Sequence, residues 1–407
     1  MTGESPREGT VIEAKGLTKV YGMPRDKAVS ALRHAQERRR HAIREAGGFL
    51  AVDDVGFSVS AGEIFVIMGL SGSGKSTVLR MLNRLVEPTS GSLRIDGADL
   101  AALPQDELRR LRNRKINMVF QHFALLPHRT VRENAAYGLK VRQTPVKERM
   151  ERADWALRRV GLEQWADSYP HELSGGMKQR VGLARALATD AEILLMDEPF
   201  SALDPLIRRD MQELLLQLQS EDRRTIVFVT HDLNEAMRIG DRIMVMRDGR
   251  VVQCATANEI VSAPADDYVT EFVADVDRSR VLTAGNVLRP PLVTARCGES
   301  PAEVLNRLEN VEMNGIFVLD EAGRILGVAT DEALAGALRD GGATIESCLA
   351  GDYHAVSPDT PIVEFCDMAG RHTVPIAVVD ADRRLLGVAP RAAILAALAA
   401  PKKVRHA

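Results

Sequence analysis

The chain has 407 residues, 45% hydrophobic and 27% charged, which is the composition of an ordinary soluble protein with room for two or three domains and excludes a disordered or fibrous one. A formal net charge of −3 gives no footing for nucleic-acid binding, and no apolar run approaches the roughly 20 residues of a membrane helix. Cys254, Cys297, Cys348 and Cys366 are scattered without a C-x-x-C pair, predicting reduced cytosolic thiols rather than a disulfide frame or a zinc site; the polar residues 1–10 predict no secretory leader.

In chain order, residues 11–20 predict a strand that ends at Tyr21-Gly22. The segment 22–48 differs: it is rich in Arg, Ala and His, has weak helical spacing at Val29, Leu32 and Ile43, and holds more basic than acidic side chains. It predicts a solvated, basic helical insertion with no nucleic-acid role. Residues 49–63 lead into 64–68, an apolar, partly β-branched run that predicts a buried strand. That run breaks into a glycine-rich turn and then into residues suited to start a helix. Gly69, Gly74, Lys75 and Ser76 there fit G-x-x-x-x-G-K-[ST], the phosphate-binding loop. The loop of Gly69, Ser71, Gly72, Ser73, Gly74, Lys75, Ser76 and Thr77 is the expected cradle for a polyphosphate, facing the positive end of the new helix. Lys75 is expected on the β- and γ-phosphates and the Ser76 hydroxyl on Mg²⁺, so ATP or another nucleoside triphosphate is the expected ligand.

Beyond the loop, the pattern predicts a helix over 78–85, a short strand over 92–95 turned by Asp96-Gly97, and a strand over 116–120 finishing at Gln121. Residues 131–170 read as mostly helical, with Pro145, Gly161 and Pro170 as punctuation. Strands are predicted over 193–196 and 225–229, a helix from Asp204-Pro205 to Leu218, and a hairpin over 242–254 turned at Asp248-Gly249. Buried strands alternating with helices argue an α/β core with a largely parallel sheet. Residues 285–400 hold an internal repeat. A shift of sixty positions aligns Pro301 with Pro361, Ile316 with Ile376, Asp320 with Asp380, and Leu326-Gly327-Val328-Ala329 with Leu386-Gly387-Val388-Ala389. Each copy predicts helix, strand, turn, strand, helix, and duplicated units of this size bury their apolar faces against each other.

The apolar run 193–196 ends at Asp197-Glu198, the Walker B arrangement. Asp197 is expected to hold Mg²⁺ through water, and Glu198 to act as general base on the attacking water. Ser174, Gly175 and Gly176 open a helix and offer a second anion site. The eight residues LSGGMKQR at 173–180 match the signature of ATP-binding-cassette (ABC) ATPases, and the resemblance extends to Gln121 (Q-loop), Ser201-Ala202-Leu203-Asp204 (D-loop) and His231 (switch histidine).

This resemblance implies a P-loop ABC-type nucleotide-binding domain over residues 1–278, with a helical subdomain at about 105–175. It also implies that two such domains pair head to tail, each ATP lying between one copy's phosphate loop and the other's Ser174-Gly175-Gly176 helix. Gln121 would then contact Mg²⁺ or the lytic water, His231 the γ-phosphate, and Tyr21 the adenine; Asp204 belongs to the same nucleotide site. Tyr21 lies forty-eight residues before Gly69, a distance that the 24–48 insertion accounts for, and Phe57 is expected in the core instead.

The insertion, the stretch MGLSGSGKST, the Met of LSGGM and the C-terminal repeat together are similar to the ATP-binding subunit of glycine betaine/L-proline (quaternary amine) importers. In that subgroup the repeat is a tandem CBS (α+β) pair, here 279–400 with copies at about 285–340 and 345–400, which tunes transport to osmotic or ionic conditions. The implied partners are a second ATPase copy, integral-membrane permease subunits and, indirectly, a solute-binding protein. The implied location is the cytoplasmic face of the cell membrane, the inner membrane in a Gram-negative cell. Residues 120–131, with Gln121, Phe123, Leu126 and Pro127, are the expected socket for a permease coupling helix. The repeat departs from the nucleotide-binding CBS motif: Thr330 is followed by Ala333 where an Asp belongs, and the second copy has Pro390 and Ala393. An ionic-strength or dimer-interface role therefore fits the repeat better than adenosine binding. Two other readings stay open: an importer ATPase for another solute such as an amino acid, and a soluble ABC ATPase unconnected with transport.

Overall fold

A computed structural model describes residues 9–34, 36–121, 124–311, 314–339, 344–372 and 374–399. The chain divides into two compact units, Met1–Ile260 with Pro264–Val269, and Val261–Ala263 with Thr270–Ala407.

Among its described residues the first unit contains ten strands: β1 (Thr10–Tyr21), β2 (Phe49–Ser60), β3 (Ile64–Gly69), β4 (Ser90–Ile95), β5 (Ala98–Asp99), β6 (Ile116–Phe120), β7 (Ile193–Asp197), β8 (Thr225–Thr230), β9 (Arg242–Arg247) and β10 (Arg250–Ala255). They form an antiparallel sheet in the order β2-β1-β4-β5 and a six-stranded sheet in the order β10-β9-β3-β8-β7-β6. The larger sheet is parallel except at β10, which closes a hairpin with β9. β3, β7 and β8 are buried at every position, and so show no alternation: both faces of a parallel sheet are covered. The core between the sheets gathers Val55 and Val59 from β2, Phe65 and Ile67 from β3, and Val78, Leu79 and Leu82 from the helix Lys75–Leu82. Phe57 is part of this core, stacked on Phe65 at 5.1 Å.

Three expectations need adjusting. The helix after the phosphate loop stops at Leu82 rather than Leu85, because Arg84 turns to φ +54° and the Asn83 side chain accepts from the Leu85 amide at 3.1 Å. The helix from Pro205 runs to Asp222, past Leu218: its last turn is polar, and it ends where Arg223 adopts φ +45°. The insertion is helical, Arg25–Ala31 and Gln36–Glu45, but it is not a freely solvated element. Ala28 and Ile43 are buried with Val20 and Leu50, and Arg39 reaches the Asp53 carboxylate at 2.8 Å. Arg250 holds the other oxygen of Asp53 at 2.6 Å, and Arg40 donates to the carbonyl of Asp248. The few apolar residues of the insertion are spent on docking, and two of its arginines neutralise and cap the body beneath.

In the second unit the copies fold alike. The first has helix Pro301–Asn310, strands Gly315–Leu319 and Ile325–Thr330, and helix Asp331–Arg339. The second has helix Ile362–Arg371, strands Ile376–Val379 and Leu385–Ala389, and helix Arg391–Leu398. A short strand not anticipated from the pattern, Thr294–Arg296 or Ala355–Val356, adds in parallel to each copy. Phe317 and Val328 of one copy share an apolar cluster with Ala377 and Val388 of the other.

Candidate functional site

Strand register explains how distant motifs meet. β6, β7, β8 and β3 are neighbours, with Phe120 opposite Asp197, Asp197 opposite Val229, and Thr230 opposite Met68. Gln121, Glu198, His231 and the loop from Gly69 therefore all leave the carboxyl edge of one sheet, where α/β folds place their ligands.

The loop itself is tightly built. Gly74 has φ +96°, and a Cβ there would sit 2.5 Å from the carbonyl oxygen of Ala51, so only glycine fits. The Lys75 ammonium donates to the carbonyls of Gly69 (2.9 Å) and Leu70 (3.0 Å), bracing the loop across its mouth. Burial pushes the Lys75 pKa down from its ordinary value, against the pull of Glu198 and Asp197. Ser73 Oγ is buried without a hydrogen-bond partner among the described residues, a polar atom in the loop still to be satisfied. Ser71, Gly72 and Thr77 lie in the same loop and first helical turn; Ser71 is exposed.

Ser76 Oγ donates to Asp197 Oδ1 at 2.8 Å, so the two expected metal oxygens are already adjacent, with Arg80 3.5 Å from the other carboxylate oxygen. One residue on, Glu198 adopts φ +46°, a conformation a non-glycine residue holds only under constraint from its surroundings. Its Oε2 meets His231 Nδ1 at 3.0 Å. Its carbonyl accepts from Ser201 Oγ at 3.0 Å, and Ser201 Oγ in turn accepts from Gln121 Nε2 at 3.0 Å. Gln121, Ser201, Glu198 and His231 thus form one contact chain. The motif Ser201-Ala202-Leu203-Asp204 gives no local signal for the bridging role of the Ser201 hydroxyl.

The remaining predicted residues do not join this cluster within one chain. Ser174 caps the helix Gly175–Ala188, its hydroxyl accepting from Met177 N at 3.3 Å. A Cβ at Gly176 would meet the Ile207 side chain at 2.4 Å, so the close approach of the next helix requires glycine there. Asp204 caps the helix Pro205–Asp222, accepting from Ile207 N at 3.0 Å. Among the described residues no hydrogen bond links Ser174, Gly175, Gly176 or Asp204 to the Lys75 loop. Tyr21, 39% exposed at the end of β1, stands opposite Phe49, which is 59% exposed, with the Lys19 ammonium 5.0 Å from the Tyr21 ring. Phe49 was not singled out in the sequence; its place beside Tyr21 depends on the pairing of β1 with β2.

Beside Gln121 a groove of about 400 Å³ is lined by Leu85, Phe120, Ala124, Tyr137, Val141 and Arg185, among others. Phe120 belongs to the expected permease socket, Phe123 lies outside the described residues, and Leu85, Tyr137 and Val141 were not anticipated. In the C-terminal unit Thr330 Oγ1 accepts from Ala333 N at 3.2 Å, serving as a helix cap.

Comparison with known proteins adds the following. The family model described as ABC transporter matches residues 52–201, and the CBS domain model matches 284–340. A third, "AAA domain, putative AbiEii toxin, Type IV TA system", matches 167–238. The chain is 45% identical over 387 residues, 95% of its length and 97% of the relative's, to "Glycine betaine/carnitine transport ATP-binding protein GbuA" of Listeria monocytogenes. It is also 45% identical over 390 residues to "Glycine betaine transport ATP-binding protein OpuAA" of Bacillus subtilis, covering 95% and 92% of the two chains. Among solved structures, a dimeric cassette, MJ0796, is 37% identical with a TM-score of 0.51, covering 60% of this chain and 98% of its own. The same cassette in a post-hydrolysis dimer bound to ADP and Pi is 36% identical with a TM-score of 0.51, and the coverage is again 60% and 98%.

Proposed function

The chain belongs to the ABC transporter ATP-binding proteins, among those of glycine betaine transport systems, and on that premise we propose that it hydrolyses ATP to power a membrane importer of compatible solutes of the glycine betaine, proline and quaternary-amine class. The observation that carries the reading is the adjacency of Ser76–Asp197 to Glu198–His231: a pair of hard oxygen donors next to a carboxylate held by an imidazole.

In this reading the backbone amides of Gly69 to Thr77 hold the phosphates, and Lys75 exchanges its two carbonyl partners for the β- and γ-phosphate oxygens. The donor set suits Mg²⁺, a cation that prefers oxygen ligands and keeps several waters; it would neutralise phosphate charge at Ser76 Oγ and, through water, Asp197. Glu198 takes the proton of the lytic water. His231 orients that carboxylate through Nδ1 and faces the γ-phosphate. Gln121, which donates to Ser201, would on releasing it be free to help hold the cation or the water, a route from nucleotide occupancy to the groove of Phe120 and Tyr137. That groove is proposed as the seat of the permease coupling helix, with its floor wider than the segment 120–131. Ser174, Gly175 and Gly176 complete the ATP site of a second copy, and Tyr21 stacks on adenine. The division into a cassette at 1–278 and a CBS pair at 279–400 goes with these roles, the pair adjusting transport to ionic conditions. The subunit would sit at the cytoplasmic face of the membrane through its permease, and a solute-binding protein would deliver the cargo from the other side.

The test is uptake of labelled glycine betaine, against proline and choline, by the subunit reconstituted with its permease. Uptake that needs ATP, rises with osmolarity and stops in Glu198→Gln supports the reading. Uptake indifferent to all three compounds, with hydrolysis intact, would overturn the solute class but leave the ATPase.

A further inference from the structure

Among its described residues the C-terminal unit carries a polar cluster that takes no part in ATP hydrolysis. His354 lies between the short strands Leu349–Ala350 and Ala355–Val356, and His372 closes the helix Ile362–Arg371. Their Nε2 atoms face each other at 2.9 Å, with ring centroids 4.4 Å apart and planes at 75°, an edge-on approach rather than a stack. Both rings are half-buried, and an exposed carboxylate, Asp352, completes a group whose ligand atoms all lie within 4.8 Å of one another. The backbone holds both rings in place. The His354 carbonyl accepts from Ala377 N at 2.9 Å where two strands pair, and His372 N donates to Met368 O at 3.2 Å.

Two Nε2 atoms at this distance cannot both carry protons, and two bare lone pairs would repel. Either one ring donates to the other, or both lone pairs turn onto one electron-pair acceptor. The carboxylate favours the second arrangement, since it adds a negative oxygen donor to the same point. Two imidazole nitrogens and one carboxylate oxygen are a borderline donor set, suited to Zn²⁺ and its first-row neighbours and poorly suited to Mg²⁺ or Ca²⁺. Tetrahedral zinc with bonds of about 2.0–2.1 Å sets its nitrogens roughly 3.3 Å apart. The rings would need to part only slightly, and a fourth position stays open to water.

The repeat supplies an independent observation. At the positions sixty residues earlier the first copy has Leu292, Thr294 and Glu312. Neither imidazole recurs there, and a leucine replaces the aspartate, so the shared fold does not demand this set of three donors. Asp352 and His354 also lie on the segment that leads from the first copy into the second, while His372 ends the second copy's first helix. Tyr353, between Asp352 and His354, meets Phe317 of the first copy edge-on at 6.2 Å, and its hydroxyl accepts from Arg383 at 3.2 Å. We propose that Asp352, His354 and His372 bind one divalent transition cation, which ties this segment to the end of the second copy's helix. Cation binding would then stabilise one pairing of the two copies by mass action.

The experiment titrates the full-length, nucleotide-free protein with zinc sulfate or cobalt(II) chloride alone, by calorimetry and by visible absorption. The expected result is one cation per chain, the intense spectrum of four-coordinate cobalt, and a melting temperature raised by zinc. His354→Ala with His372→Ala should abolish this binding, and Asp352→Asn should weaken it by at least about tenfold, the loss that even an outer-shell partner causes, with ATP hydrolysis unchanged in each. Should the alanine pair fail to fold, His372→Gln keeps the side-chain volume while removing the imidazole donor. X-ray absorption on wild-type protein counts the histidine ligands without any variant. Cation uptake by wild type no greater than by the double variant, a six-coordinate aquo cobalt spectrum, or absorption data lacking histidine would overturn the proposal and leave a plain N–H···N bond.

Discussion

In the six-stranded sheet, side chains that leave the strand ends touch across large sequence distances: Ser76 meets Asp197, Gln121 meets Ser201, and Glu198 meets His231. In the C-terminal unit the relation between copies is the opposite. The apolar positions repeat, Ile316 with Ile376 and Val328 with Val388, and so do the turn residues Asp320 and Asp380, while other polar positions diverge: Thr330 against Pro390, and Leu292, Thr294 and Glu312 against Asp352, His354 and His372. The first unit gathers its polar contacts at one sheet edge. The second is constrained by packing between twins and by the shared aspartate turn, which leaves its other polar residues free to differ.

The sharpest way to break this contrast is Glu198→Gln. It should lower turnover by about 10²–10⁴-fold while ATP binding, read by equilibrium dialysis, survives; wild-type turnover would remove Glu198 as the base. The counterpart in the second unit is Phe365→Ala, a fully buried ring in the second copy. It should cost about 3–5 kcal/mol of that unit's stability and lower its calorimetric transition, with kcat for hydrolysis held within about twofold. Collapse of hydrolysis in that variant would show that the two units do not respond separately. Asp53→Ala tests the docked insertion: two arginines lose the carboxylate between them, and the first unit should lose about 3 kcal/mol in denaturant unfolding. No change would mean that the insertion hangs free after all.

The smallest effect is a pH dependence. Glu235 is buried against Gln212, whose amide donates to it at 3.1 Å, and desolvation raises its pKa above the ordinary carboxylate value. A raised acid binds a proton more tightly in the folded state, so its stabilising share is present below the ordinary carboxylate pKa and fades as pH climbs through the raised one. Glu235→Gln, which stays neutral, should therefore match wild type in acid and melt progressively higher than wild type as pH rises through that window, then hold a constant lead. Parallel melting curves at all pH values would rule out this burial cost.

Much of the candidate nucleotide site was expected from the sequence because its signals are local. The loop from Gly69 to Thr77 needs glycines at fixed offsets so that adjacent amides can converge, and LSGGM needs a capping serine at a helix start. The insertion was legible as helical but not as docked, since Ala28 and Ile43 are too few to make a stripe, and Arg39 finds Asp53 only through the pairing of β1 and β2. The same holds for the groove beside Gln121, whose walls come from Leu85, Phe120 and Val141.

From the sequence alone followed the family resemblance, the alternation of buried strands with helices, and the sixty-residue repeat, because each is carried by residues close along the chain or by their period. Strand order decided the rest. Only the β3-β8-β7-β6 neighbourhood brings Gln121 to Ser201 and His231 to Glu198, and only the folded second copy sets His354 against His372. Contacts of this kind depend on how distant segments pack, and a pairing between two side chains leaves no periodic trace in either segment.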